Sequence, residues 1–215
     1  TPQRVTDNLA NDYGALSAVD GNGAAIALWS TVADPSVTTE TPMGDVLNAT
    51  DLAWSRFVPD LGAWSEPTLL TNDSCYDGRA SLSAGADGTV AAVWTREYDG
   101  DIFSIGDQAI FFAAWNGTAW SESELVAANV SVTAGPITAP PGTIAWIADT
   151  DGDPDTRTDR EIFIVRRSGS VWGAPVQVTT NAIEEIEPAF QAGGGEWLAW
   201  VERKADCDSV RAVLT

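Results

Sequence analysis

The sequence predicts an all-β chain, a β-propeller of four four-stranded antiparallel blades whose last blade is completed by the N-terminal strand. Three observations predict it. Two tryptophan series repeat in one register. Each unit, roughly fifty residues long, reads as four short strands. The final unit lacks a segment that the first residues could supply.

The first series sits in Ala63-Trp64-Ser65-Glu66-Pro67-Thr68-Leu69-Leu70-Thr71. It returns as Ala119-Trp120-Ser121-Glu122-Ser123-Glu124-Leu125-Val126 and as Val171-Trp172-Gly173-Ala174-Pro175-Val176-Gln177-Val178-Thr179. Trp64, Trp120 and Trp172 are therefore 56 and 52 residues apart. The second series, Trp29, Trp94, Trp146 and Trp200, is spaced by 65, 52 and 54 residues. Each member follows a glycine-containing turn: Asp20-Gly21-Asn22-Gly23, Ala86-Asp87-Gly88, Pro141-Gly142 and Gly193-Gly194-Gly195.

Within a unit, strand a is small and apolar, at residues 15–19, 80–84, 137–139 and 189–192. Strand b carries the Ala/Val/Trp run. Strand c is aromatic or β-branched, at 52–57, 109–115, 161–167 and 210–214. Strand d is the Trp-Ser-x-Pro segment. Short strands between regular turn signals, with no sustained 3.6-residue period, are the pattern of an all-β chain. The blades fall at about 12–71, 76–127, 130–179 and 184–215 within one domain spanning 1–215. The last unit stops after strand c. Residues 2–7 align with the strand-d segments after Pro67 and Pro175, so they are expected to zip onto the last strand c and cover its edge. A closed monomer, a ring shared by a homodimer and a part of a larger propeller all fit this reading.

Composition narrows the function. The chain has 31 acidic and 11 basic residues, a net charge of −20 and no histidine. Such a surface repels phosphate backbones and anionic lipid, so neither nucleic acid nor membrane is an expected partner. Without histidine there is no Ser-His-Asp or Cys-His nucleophile and no imidazole zinc site. No run of 18 apolar residues occurs, and Cys75 and Cys207 are too few for a disulfide framework. Thr1 opens the sequence as a mature or trimmed product would, and four N-x-S/T sequons begin at Asn48, Asn72, Asn116 and Asn129. The expected location is extracellular or at the cell surface.

The turns before the first tryptophan series read Pro59-Asp60-Leu61-Gly62-Ala63-Trp64, Asn116-Gly117-Thr118-Ala119-Trp120 and Ser168-Gly169-Ser170-Val171-Trp172. With the Pro-x-x-(Val/Leu)-Thr strands that follow, they resemble degenerate Asp boxes of BNR or sialidase-like propellers. The resemblance implies the fold, with the tryptophan packed between blades. The enzymes of that family have six blades, an arginine triad and a Tyr/Glu nucleophile pair. Here only Arg79 falls at an inner-strand position, so the resemblance argues against sialidase activity.

The long b–c loops, 33–50, 98–108 and 149–159, emerge together with the d–a loops on one face, the candidate binding face. Asp149-Thr150-Asp151-Gly152-Asp153-Pro154-Asp155, followed by Asp159 and Glu161, offers the alternating hard oxygens that Ca2+ takes. Asp149, Asp151, Asp153 and Asp155 are the expected ligands, although a solvated acidic hairpin would read the same way. Asp99-Gly100-Asp101 occupies the corresponding loop one unit earlier. At the channel mouth, aligning the a strands places Tyr13, Arg79, Gly135 and Glu187 together, with Asp77 nearby. Tyr13, Asp77, Arg79 and Glu187 could hold a polar ligand, a glycan or a segment of another surface protein. The expected function is a non-enzymatic binding, adhesion or structural module. The alternative is a glycan hydrolase or lyase using carboxylates at the mouth.

Overall fold

The computed structural model describes residues 2–102, 104–139, 142–191 and 197–215. The glycine turn expected at 193–195 and the end of the fourth a strand lie outside them. The protein is all-β, with four antiparallel sheets in chain order. Sheet one contains β1 (Asn11–Val19), β2 (Ala25–Val32) and, after the single short helix α1 (Met43–Asn48), β3 (Thr50–Val58). It ends in β4 (Ala63–Trp64) and β5 (Thr68–Leu69), both paired to β3. Sheet two is β6 (Tyr76–Ala84), β7 (Val90–Glu97), β8 (Gln108–Trp115) and β9 (Glu124–Val130). Sheet three is β10 (Val132–Ala139), β11 (Thr143–Ala148) and β12 (Glu161–Ser168), with β13 (Val171–Trp172) and β14 (Val176–Gln177) on its outer side. Sheet four is β15 (Glu184–Phe190), β16 (Trp197–Arg203) and β17 (Ser209–Leu214).

The outer strand is split in sheets one and three and continuous in sheet two. Pro67 and Pro175 have no N–H to give the ladder, so pairing breaks at them. Two residues past the restart, the hydroxyls of Thr71 and Thr179 take over, accepting from the buried N–H groups of Leu52 and Ile162 at 2.9 Å. Sheet two has Ser123 and Ala127 at the matching places, and there the backbone itself pairs, Ile110 with Ala127.

The inner strands begin earlier than the apolar pattern suggests, because each is interrupted by a β-bulge. Two residues on the inner strand oppose one tryptophan of the next: Gly14-Ala15 opposite Trp29, Arg79-Ala80 opposite Trp94, Gly135-Pro136 opposite Trp146, and Glu187-Pro188 opposite Trp200. All four tryptophans are buried. In sheets one, two and four, acidic residues before the bulge conceal the strand's length from a hydropathy reading.

Sheet two packs against sheet one and sheet three, and sheet three against β15 of sheet four. The turn tryptophans form these contacts. Trp54 of sheet one lies 5.0 Å from Trp115 and 6.2 Å from Trp120 of sheet two, and Phe112 of sheet two lies 5.1 Å from Trp172 of sheet three. Each burial of such aromatic area contributes roughly 2–3 kcal/mol. Trp64, in the first unit, turns instead onto Phe57 of its own sheet, 5.7 Å away.

The N-terminal strand expected on β17 is not there. Residues 2–7 form no strand; Gln3 donates through Nε2 to Gly62 O at 2.9 Å, beside β4 of sheet one. Sheet four keeps three strands. Val5 is the one aliphatic side chain that follows Pro2 in this segment, so it has no alternating apolar face to hold it on a sheet. Among the described residues, no interface like that between sheets one and two joins sheet four to sheet one.

Candidate functional site

The bulge places a recurrent polar position two residues before it. Asp12 in sheet one and Asp77 in sheet two accept from the indole Nε1 of Trp29 and Trp94, at 3.0 and 2.8 Å. Glu185 occupies the same register in sheet four, while in sheet three a second register shift falls at Thr133; among the described residues the Nε1 groups of Trp146 and Trp200 have no partner. Asp77 is fully buried, and Arg96 grips it with two bonds of 2.8 and 2.9 Å. Burial pushes its carboxyl above the usual range, while the Arg96 bonds work against that. Asp77 is thus turned into the sheet interior.

The structure separates the other mouth residues too. Gly14, Arg79 and Glu187 share the bulge and a left-handed φ of 66°, 48° and 53°, so Gly14, not Tyr13, is the counterpart of Arg79. Tyr13 is half exposed one residue before the bulge, and Glu187 is exposed on sheet four. Arg79 makes its bonds elsewhere. Its guanidinium donates to Val132 O at 2.8 Å and Ile102 O at 3.4 Å, bridging sheet two to sheet three.

That bridge lies in a cleft of about 410 Å³ between the two sheets. Asp149, Asp155 and Arg160 line it with Arg79. The structure thereby brings together three residues singled out from sequence and leaves Tyr13, Asp77 and Glu187 elsewhere. A larger cleft, of about 640 Å³, lies between the N-terminal segment and the β4–Pro67 stretch, remote from this one.

Two groups of carboxylates flank the 410 Å³ cleft. In one, the ligand oxygens of Asp149, Asp151 and Asp159 all lie within 4.8 Å of one another; in the other, those of Glu97, Asp99 and Asp107 do. Asp153 and Asp155 are outside the first group. Asp153 Oδ1 instead accepts from Asp155 N at 3.1 Å, holding the turn. Asp159 Oδ2 accepts from the N–H groups of Thr150 and Asp151 and folds the loop back on itself. Among the described residues, Asp149 Oδ2 and Asp159 Oδ1 are buried without a hydrogen-bond partner. Burial raises the Asp149 carboxyl, and Asp159 and Asp151 raise it further. Burial, then the charge of Asp107, pushes Glu97 up to about 7. Oxygen-only donors with unmet acceptor capacity suit a hard divalent cation. Glu97 and Asp107 escaped the sequence reading, although each stands 52 residues before its counterpart, the spacing of Trp94 to Trp146.

Burial pushes Glu185 up to about 7, with Glu161 and Glu202 adding to the shift; Asn181 Nδ2 donates to it at 2.7 Å. Cys75 and Cys207 are both free thiols. No helix among the described residues is long and apolar enough to cross a membrane.

No protein-family model matches the chain, and no curated protein does either. Solved structures do. The NanB sialidase of Streptococcus pneumoniae superposes with a TM-score of 0.57 over 98% of this chain and 51% of its own, at 8% identity. The Hadza microbial sialidase Hz136 gives 0.53 over 93% and 43%, at 14% identity. The likeness is one of fold. The polysaccharide lyase Uly1 gives 0.50 over 93% and 48%, at 10% identity. This chain spans about half the length of each of these neighbours. The sheet order and turn tryptophans expected from the resemblance thus belong to a sialidase-like all-β fold.

Proposed function

We propose that the protein is a non-enzymatic, extracellular or cell-surface binding module. Its four sheets are consecutive propeller blades, and it holds a hydroxyl-rich ligand, a glycan, in the cleft between sheets two and three. Calcium orders the 149–159 loop beside it. The carrying observation is that the two basic groups of this cleft are already engaged with the protein itself. Arg79 is spent on two backbone carbonyls. Arg160 donates to Pro154 O and pairs with Glu184 at 3.6 Å. Asp149 is grouped with Asp151 and Asp159. A retaining or inverting glycosidase needs two carboxylates facing each other across the bond to be cut, about 5 to 9.5 Å apart with room for substrate between them. Here three carboxylates converge within one loop, and the cleft presents a polar wall of the kind that orients hydroxyls.

A second support is the register of the inner strands. The equivalent bulge positions are Gly14, Arg79, Gly135 and Glu187, which leaves a single arginine where a carboxylate-binding triad would need three. The sialidase and lyase neighbours lend the glycan class, by fold alone.

The test is a panel of neutral and acidic polysaccharides, scored both for binding and for release of new chain ends. Binding without turnover is expected, weakened about tenfold by Asp155→Ala, an exposed side chain whose loss leaves the sheets intact. Cleavage of any glycan that Asp155→Asn or Asp149→Asn abolishes would establish the hydrolase or lyase alternative instead.

A further inference from the structure

We infer that Glu97, Asp99 and Asp107 form a second divalent-cation site, and that two ions, one in each b–c loop, set the two walls of the cleft. The inference extends the reading of the 149–159 loop and rests on it in part. Its own support is geometric.

The two loops are one device used twice. Glu97, Asp99, Gly100, Asp101 and Asp107 stand at the same offset of 52 residues from Asp149, Asp151, Gly152, Asp153 and Asp159. The strands that carry them keep that offset too: Trp94 pairs with Phe111 and Trp146 with Phe163. Both central glycines take a left-handed φ, 77° at Gly100 and 82° at Gly152. In both loops the residue at the end of strand b, Glu97 or Asp149, is buried, and the other two ligands come from the loop.

A cluster of acids alone would be an ordinary feature of so acidic a chain. What distinguishes this one is Glu97. Its side chain is only 1% exposed, and its Oε2 is buried with no hydrogen-bond partner among the described residues. Leaving a buried carboxylate oxygen unmet costs free energy, which a cation held between Glu97, Asp99 and Asp107 would recover. The donors are all oxygen, and three carboxylates leave room for water and backbone ligands. That is the chemistry of Ca2+, which accepts six to eight oxygens in flexible geometry.

Sheet four shows the alternative solution. At the place of Glu97 and Asp149 it has Arg203, and the next residue, Lys204, reaches Glu202 at 3.0 Å. There the protein carries its own cation. The two loops with a buried carboxylate at that place line the cleft. Ile102, Ser104 and Ile105 come from one, and Pro154 and Asp155 from the other. They approach each other where Ile105 Cδ1 stands 4.0 Å from the place a side chain on Gly152 would begin. An ion in each loop would therefore fix both faces of the cleft.

The experiment uses the full chain stripped with a chelator and titrated with Ca2+ by calorimetry, and with Tb3+ by tryptophan-sensitised emission. Two ions per chain are expected. Glu97→Gln and, on the exposed side, Asp99→Asn should each remove one ion or weaken it at least tenfold, while Asp151→Asn removes the other. Two variants guard against misfolding, and both should retain the unaltered ion with wild-type affinity. A single ion lost in Asp151→Asn and kept in Glu97→Gln overturns the second site but leaves the first. A single ion lost in Glu97→Gln and kept in Asp151→Asn upholds the second site and removes the reading of the 149–159 loop. No binding up to millimolar Ca2+ overturns both.

Discussion

The buried carboxylate of Asp20 gathers four donors: the N–H groups of Asn22 and Ala24, Arg56 Nε at 2.9 Å, and Trp115 Nε1 at 3.3 Å from the neighbouring sheet. Burial alone would raise its pKa, but the hydrogen bonds and the Arg56 guanidinium outweigh it and hold the carboxyl below the usual range. Glu185 is the opposite case, raised to about 7 by burial and like charges with one amide donor to offset them. The signs of their linkage therefore differ. Asp20 contributes stability that is full above about pH 4 and lost as pH falls through its depressed folded value. Glu185 binds a proton more tightly folded than unfolded, so its contribution declines from about pH 4.5 and has gone once pH passes 7. Unfolding free energies measured from pH 3 to 9 should show this. Asp20→Asn should cost about 3 kcal/mol at pH 7, because it strands Arg56, and progressively less as pH falls below about 4. Glu185→Gln should gain about 1–3 kcal/mol at pH 8 and almost nothing at pH 4.5. Parallel pH profiles for wild type and both variants would contradict this account. At this scale the sequence was a partial guide. Asp77 stood out as a charged residue near a mouth, but nothing in a string of letters says that Trp94 and Arg96 face it from the next strand. Tyr13 was taken for the partner of Arg79 by an alignment one residue out of step: Gly14 stands 15 residues before Trp29 as Arg79 does before Trp94, and the backbone shows that Gly14 carries the bulge.

Strand c was legible to within two residues, because its aromatic and β-branched runs are bounded by turn signals, and strand b was recognised by its Ala/Val/Trp run. Strand a was read short because its bulge divides an apolar half from a polar one. Strand d was read as a strand, yet in sheets one and three it is two fragments on either side of a proline, finished by a threonine hydroxyl. The recurring Pro-x-x-x-Thr is therefore a device for ending an outer strand without leaving the neighbouring N–H unmet. Thr179 is buried, and replacing it with valine removes the acceptor for Ile162 N while preserving shape. Thr179→Val should cost about 1–2 kcal/mol, read as a shift in denaturant midpoint with the slope unchanged. The control is Ala127→Ser, at the matching place in sheet two, where Ile110 already pairs through the backbone. It should move the midpoint little. Equal effects at the two positions would mean that the hydroxyl has no such role. Loop ligands followed the same logic of register. Asp149 and Asp151 were found because aspartates alternate there, whereas Glu97 and Asp107 were missed because the signal lay in the offset between units and not in the loop itself.

For the whole molecule, the balance is between a few placed cations and a large excess of negative charge. The protein has 31 acidic and 11 basic residues. Several of the basic ones stand at sheet contacts or buried acids: Arg56 on Asp20, Arg96 on Asp73 and Asp77, and Arg167 on Glu124 beside Trp172. These pairs are largely shielded from solvent, so salt screens them weakly, whereas the remaining carboxylates repel one another across exposed surface within a Debye length of about 8 Å at physiological ionic strength. Screening should therefore remove more repulsion than attraction. Raising NaCl from 0.05 to 0.5 M is expected to increase Tm by several degrees, the change that roughly 1–2 kcal/mol produces in a chain of this size. CaCl2 at the same ionic strength should raise it further, because an ion bound in the loops adds a mass-action term on top of screening, and that surplus should shrink in Glu97→Gln and in Asp151→Asn. Thermal unfolding in matched NaCl and CaCl2 series separates the two effects. A Tm that falls with NaCl would mean that the ion pairs between sheets outweigh the surface repulsion. Identical curves for the two salts would mean that calcium acts only as ionic strength.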